Sequence, residues 1–327
     1  MPLEIEGRLI HDGTPRLAKQ VSSKYGNMSA AKVRRDLSEN HQRDLSRDYI
    51  QNLAQKVGSI IEEEEIQINY KLPPQAIGAE VVSLGRDGTT IFLKGDGYRE
   101  TMNGTISFYN EKEERVHTIY LAQAPEYGKG NFDFRFNREI NVVKSLVKAD
   151  IPFIGLADGA ADNWSFLAPH TDVEILDYWH ACEYLTKASK AYSRSAYEKK
   201  QWLEKARGDL LNKDGAAKGL LEEMKKFRRK KKLSKVAKEN LEAAITYFTN
   251  HFHQMDYANY SKCKYPVGSG VTEAACKVVT KERLCQSGMK WKNEGAQNTL
   301  CLRALYHTDG RWEQFWGHID CFGFAQN

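Results

Sequence analysis

At 327 residues the chain is long enough for about two domains of ordinary size. Its 41% apolar and 28% charged residues fit a folded protein with a real core and exclude a chain too polar to collapse. The net charge of +5 decides little by itself, but its distribution is uneven: residues 187–238 hold 18 Lys/Arg against 6 Asp/Glu, leaving the rest of the chain net acidic.

Taken in chain order, residues 14–65 read as three short helices. Pro15 lies near a helix start, Ser29 and Ser46 are N-cap candidates, and Val33, Leu37, Ile50, Leu53, Ala54 and Val57 recur at helical spacing. Tight turns between them predict a helix-turn-helix-like unit. The third helix presents Arg47, Gln51, Asn52, Gln55 and Lys56, side chains able to reach base edges; a solvated helix face is the alternative. Beyond "KLPPQAIG" the period changes. "AEVVSLGRDGTTIFL", "TMNGTISFYN" and "RVHTIYLAQA" are strand candidates, and "FNREINVVKSLVKA" reads as an amphipathic helix. "IPFIGLADGAADNW" is a short apolar strand ending at Asp158-Gly159, and "VEILDYWHACEYL" a strand passing into a helix. This order predicts an α/β sheet, with the early strands antiparallel and the later ones parallel. From residue 186 to about 260 the pattern is helical and basic. Within it Lys225, Lys226, Arg228, Arg229, Lys230, Lys231 and Lys232 form a block expected either to be solvated or to contact phosphates. "NEGAQNTLCLRALYH" is one more helix, with Asn293 as its expected N-cap.

Six cysteines are scattered without a CxxC pair, which fits reduced thiols in a cytosolic setting. No apolar run approaches the ~20 residues of a membrane span. The start "MPLEIEGRLIHDG" lacks the basic and apolar stretches of a signal peptide. A soluble, cytoplasmic protein working at the nucleoid is expected.

Three carboxylates stand out. Glu273 follows the Gly268-Ser269-Gly270 turn inside a run of small apolar residues, where a charge needs a partner or a metal. Asp87 and Asp158 each precede a glycine at a strand edge. An Asp-Gly pair alone is more often a turn. An Asp on a first strand, an Asp ending a later strand and a Glu on a late helix nevertheless form the arrangement that gathers three carboxylates at one edge of an RNase H-like sheet. Hard oxygen donors of this kind suit Mg²⁺ or Mn²⁺, and two such ions serve in-line phosphodiester displacement. No P-loop, nucleophile elbow or HExxH competes with this reading.

The chain resembles the DDE transposases of the ISKra4 insertion-sequence family. The resemblance rests on "GRDGTTIFLKGDGYRETMNGTIS", "HTIYLAQAPEYGKG", "GLADGAADNW", "LDYWHACEYL" and the long block from "PVGSGVTEAACKVV" to "GRWEQFW", and it spans about residues 14–316. It implies an RNase H-like catalytic domain, a mixed sheet with flanking helices, whose metal-binding triad falls on Asp87, Asp158 and Glu273. The expected organisation is a helical DNA-binding segment at 14–65, a first catalytic part at 76–185, a basic helical insertion at 186–262 and a last catalytic part at 263–327. Longer family members carry additional sequence before the helical segment, which puts autonomous transposition in question.

Asp96 is the rival for the first acidic position; Asp162 and Asp177 read as a helix-start residue and a strand-end residue, with spare carboxylates for the site as the alternative. His180 is a candidate for substrate contact or proton transfer, because similar transposases place a His close to the scissile phosphate. Trp291, flanked by Lys290 and Lys292, is a core aromatic or a base-stacking residue. Arg283 and Arg303 are candidates for phosphate contact. Trp312, Phe315 and Trp316 read as packing. The implied activity is hydrolysis at element ends followed by transfer of the 3′-OH into target double-stranded DNA, by a homodimer or larger assembly. Competing readings are a nuclease without strand transfer and a DNA-binding protein with a vestigial site.

Overall fold

The computed structural model describes residues 8–229 and 233–324. Three helices come first: α1 (Pro15–Asn27), α2 (Ala30–His41) and α3 (Arg47–Glu64). Ser29 and Ser46 cap their helices as the sequence predicts, and Thr14, ahead of Pro15, caps the first; each accepts a main-chain N–H three residues on.

Five strands then build one mixed sheet: β1 (Val81–Leu93), β2 (Gly97–Tyr109), β3 (Arg115–Gln123), β4 (Phe153–Ala157) and β5 (Val173–Leu176), in the order β3-β2-β1-β4-β5. β1, β2 and β3 form an antiparallel meander, whereas β4 and β5 add in parallel on the other side of β1. β1 and β4 are covered on both faces and are therefore buried almost along their length rather than alternating.

Helices cover the sheet unequally. α4 (Gly130–Leu146) lays Phe132 and Phe136 against Gly104 on one face. Neighbouring Thr105 points the opposite way, as strand geometry requires, and meets Thr272. That residue belongs to α11 (Gly270–Ala275), which continues into a π-helical segment (Cys276–Lys281) and a last turn (Glu282–Leu284). α12 (Asn293–His307) packs beside it, and α13 (Arg311–Phe322) ends the described chain. Between β4 and α11 run α5 (Ala161–Leu167), α6 (Tyr178–Tyr192), α7 (Ala196–Asn212), α8 (Ala216–Phe227), α9 (Lys235–His251) and α10 (Tyr257–Lys262).

Several expectations are corrected. The helix expected from residue 136 starts at Gly130, because Lys129 takes the left-handed conformation (φ 72°) and turns the chain into it. Lys292, not Asn293, is the N-cap of α12; the Asn293 amide donates instead to the Pro125 carbonyl at 2.7 Å. α6 runs straight through the expected boundary at 185/186. Trp202, Leu210, Leu220, Met224, Leu241 and Phe248 of the basic helices belong to the same apolar cluster as the sheet. The N-terminal helices likewise share a cluster with Leu302, Leu305, Phe315 and Trp316 of α12 and α13.

Candidate active site

β1 and β4 stop pairing at Gly85↔Leu156, and Asp87 and Asp158 each lie two residues beyond that pair. The strands part where the two carboxylates stand. Outside the carboxyl ends of parallel strands is where open α/β sheets hold their ligands. Here the opening is a cavity of about 200 Å³ lined by Asp87, Asp158, Trp179, His180, Glu183 and Glu273, among others. Glu273 reaches it because α11 lies unusually close to β1. A Cβ on Gly85 would stand 1.9 Å from Thr272 Oγ1, so the strand glycine sets this approach. Around the Gly268-Ser269-Gly270 turn there is no such squeeze: an added Cβ would be in ordinary contact with Trp179 at Gly268 and would meet nothing at Gly270.

Each carboxylate is held differently. Asp87 accepts from the Gly88 N–H at 2.7 Å and the Cys276 thiol at 3.4 Å. Burial raises its pKa; these two donors oppose that, and the charges of Asp158 and Glu273 push it higher still. Burial and the carboxylate next to it likewise push the Cys276 thiol up, so it stays a neutral donor. Asp158 accepts from the Ala160 N–H at 3.0 Å and Asn163 Nδ2 at 3.3 Å, while Tyr247 donates to its carbonyl at 2.7 Å. Glu273 is half-exposed and accepts from Ser269 Oγ at 3.0 Å. The three segments expected to supply a triad do meet at one cavity.

Asp177 proves to be structural, and it is the residue the sequence undervalued. It follows the end of β5 as expected, but serves as the N-cap of α6, accepting from the His180 N–H at 2.7 Å and pairing with His180 Nδ1 at 3.0 Å. Its other oxygen accepts the Ser269 N–H at 2.5 Å, tying the turn before α11 to the end of β5. Burial works to raise its pKa, but the donors from His180 and Ser269 prevail and hold it below the usual carboxylate range. The same hydrogen bond pushes His180 up to about 9, against the effect of burial and with help from Asp177, Asp158 and Glu273. An imidazolium therefore faces the carboxylates at neutral pH. The signal was available, since an Asp immediately before a helical apolar run is an N-cap candidate. Among the described residues, Asp177, His180 and Glu273 bring one ligand atom each within 4.8 Å of one another, a group that could hold a metal ion. Asp162 lies in the first turn of α5 and is engaged by Arg86 and Lys129.

The expected DNA-contacting residues divide. Gln51, Asn52, Lys290 and Lys292 line one groove of about 690 Å³ together with Lys94 from the β1–β2 turn. Trp291, however, is only 9% exposed, and its indole N–H donates to the Leu284 carbonyl at 3.0 Å. It packs with Leu93 and Ala296 and stacks on Arg283, so base stacking gives way to the core role. Arg283 and Arg303 are also buried and structural. Arg283 donates to the Tyr25 carbonyl, and Arg303 to the carbonyls of Gly26 in α1 and of Val278 and Val279 in the π-helical segment. Gln55 is occupied with the Gly295 carbonyl and Thr299. Arg47 is exposed at the first turn of α3 and does not line the groove. In the basic helices, Lys225 and Arg228 pair with Glu222 and Glu242, while Lys226 and Arg229 are exposed; Lys230, Lys231 and Lys232 lie outside the described residues. No helix of the described residues is long and apolar enough to cross a membrane.

Set against known proteins, the chain matches no family model and no curated protein.

Proposed function

We propose that the chain is a metal-dependent DNA phosphodiester transferase, a transposase of the DDE type that its sequence resembles, and that the mixed sheet is RNase H-like. The observation that carries this reading is the meeting of Asp87, Asp158 and Glu273 from β1, the end of β4 and α11 at one cavity. The donor set is the kind that Mg²⁺ or Mn²⁺ takes, hard carboxylate oxygens; Asp87 is raised first by its burial and only then by the charges of Asp158 and Glu273. These three residues would hold the two ions. When bound, the ions would activate an attacking oxygen and stabilise a leaving one.

The chain's own groups do the rest. Asp177 fixes His180 as a cation beside the carboxylates, where it can donate to a non-bridging phosphate oxygen. Ser269 holds the Glu273 side chain, and Cys276 and Gly88 hold that of Asp87. Lys94, Lys290 and Lys292 give a second, cationic surface suited to the backbone of double-stranded DNA. In this reading the chain acts on element ends and target as a dimer or larger assembly, in the cytoplasm at the nucleoid.

The test is strand cleavage of plasmid DNA with Mg²⁺. Asp87→Ala, Asp158→Ala and Glu273→Ala should each lower cleavage at least about a thousandfold while DNA binding stays within a few-fold. Wild-type rates in any one variant would remove that residue from the site. Absence of cleavage by the unmodified chain at its own element ends would remove the reading.

A further inference from the structure

Trp179 has no part in the reading above, yet it lines the same cavity with 65% of its surface exposed. Other aromatics of this chain are as exposed, among them Tyr127 and Tyr197; Trp179 is set apart because its indole lines the cavity that holds the carboxylates. It is not left loose. The Asp177 cap fixes the first turn of α6 on which it sits. The Tyr178 ring stands edge-on to it at 5.3 Å and 69°, and Gly268 lies against its pyrrole side, where an added Cβ would be 3.7 Å from Cδ1 and Nε1. One cavity thus combines an ionic wall (Asp87, Asp158, Glu273, His180) with a braced, uncovered aromatic surface.

We infer that Trp179 is a stacking platform for an unpaired nucleobase next to the phosphodiester held at the carboxylates. This deepens the phosphodiester reading and rests on it. The charged wall matches the phosphate part of a nucleotide, and the indole matches its flat, uncharged part. Inside a duplex both faces of a base are covered by its neighbours, so away from a duplex end an indole can meet a base face only where that base has left the stack. The substrate at this site is therefore locally unpaired.

The experiment uses the full chain in Ca²⁺, with a mixed-sequence single-stranded oligodeoxynucleotide and the duplex of the same sequence as probes. The variants are Trp179→Ala, Trp179→Phe and Asp87→Asn, the side chain at 179 being exposed enough to change without disturbing the core. Loss of one stacked base is expected to weaken single-strand binding about tenfold or more in Trp179→Ala, with Trp179→Phe between it and the wild type. Duplex affinity, set by phosphate contacts, should change less than about twofold. Single-strand binding should quench the intrinsic fluorescence of the wild type and of Asp87→Asn, and this component should be missing in Trp179→Phe. Equal single-strand affinity in wild type and Trp179→Ala, an equal loss on both probes, or quenching that survives in Trp179→Phe would each overturn the inference. If Mg²⁺-dependent cleavage persists alongside any of these results, the phosphodiester reading stands and stacking alone fails. If the wild type binds neither probe and cleaves no DNA, both fail together.

Discussion

His180 keeps its proton to about pH 9 because the buried Asp177 carboxylate needs it there. The sign of the stability effect follows from linkage. A histidine whose folded pKa is raised contributes stability that is fully present below its ordinary value of about 6.5 and is lost as pH rises through about 9. Asp177, depressed in the fold, gives stability present above the usual aspartate value and lost as pH falls through its lowered one. In metal-free buffer the melting temperature should therefore decline between pH 6.5 and 9. His180→Asn, which keeps an N–H near the position of Nδ1 but cannot titrate, should flatten that decline. A wild-type melting temperature that is level across this window would show that the pair does not couple to folding. The sequence made His180 a candidate and placed Asp177 only at a strand end, because a capping residue shows its worth only when its second oxygen finds Ser269, 92 residues away.

At the scale of elements, the placement of Glu273 depends on how closely α11 sits on the sheet. Gly85 and Thr105 on paired strands leave a slot that Thr272 fills, its hydroxyl 2.7 Å from that of Thr105. Gly85→Ala would put a methyl 1.9 Å from Thr272 Oγ1 and 2.8 Å from Thr105 Oγ1, and both are held between strand and helix. The helix must then lift. We expect a loss of about 2–3 kcal/mol, the upper part of the usual overpacking range, read as a lower urea midpoint. Cleavage should fall with it, since Glu273 is the next residue. Adding Thr272→Ala removes the nearest atom and should restore part of the stability. An unchanged midpoint in Gly85→Ala would mean that the helix is not seated as described. The strands themselves were legible, because β-branched runs between turn residues fix their limits locally; which glycine admits the helix is a property of the contact.

Across the whole molecule, the N-terminal helices are part of the framework rather than an appended module. Arg303 of α12 and Arg283 after the π-helical segment donate to carbonyls at the end of α1. Gly58 of α3 leaves so little space that an added Cβ would stand 2.5 Å from the Asn298 carbonyl of α12. Arg135 of α4 pairs with Glu65 just past α3, a part-buried contact that holds the guanidinium well above its ordinary pKa against the opposing effect of desolvation. Removing residues 1–65 would uncover Leu302, Leu305, Phe315 and Trp316 at once. The shortened chain should lose its near-UV circular dichroism and its cooperative thermal transition. A sharp transition in residues 66–327 alone would show that the first 65 residues are an independent unit after all.

By itself the sequence determined the element order, the antiparallel-then-parallel strand plan and the three segments that supply Asp87, Asp158 and Glu273. These follow from short-range causes: periodicity, capping residues and the turn chemistry of Asp158-Gly159 and Gly-Ser-Gly; Asp87-Gly88, expected at a strand edge, instead lies within β1, paired with Asn103 and Met102 of β2. The tertiary structure alone decided that Trp291, Arg283 and Arg303 are buried supports, that the basic helices share one core with the sheet, and that Trp179 stands open at the cavity. A tryptophan or arginine is suited both to packing and to nucleic acid, so its type leaves the choice open. What surrounds it, supplied by segments distant in the chain, makes that choice.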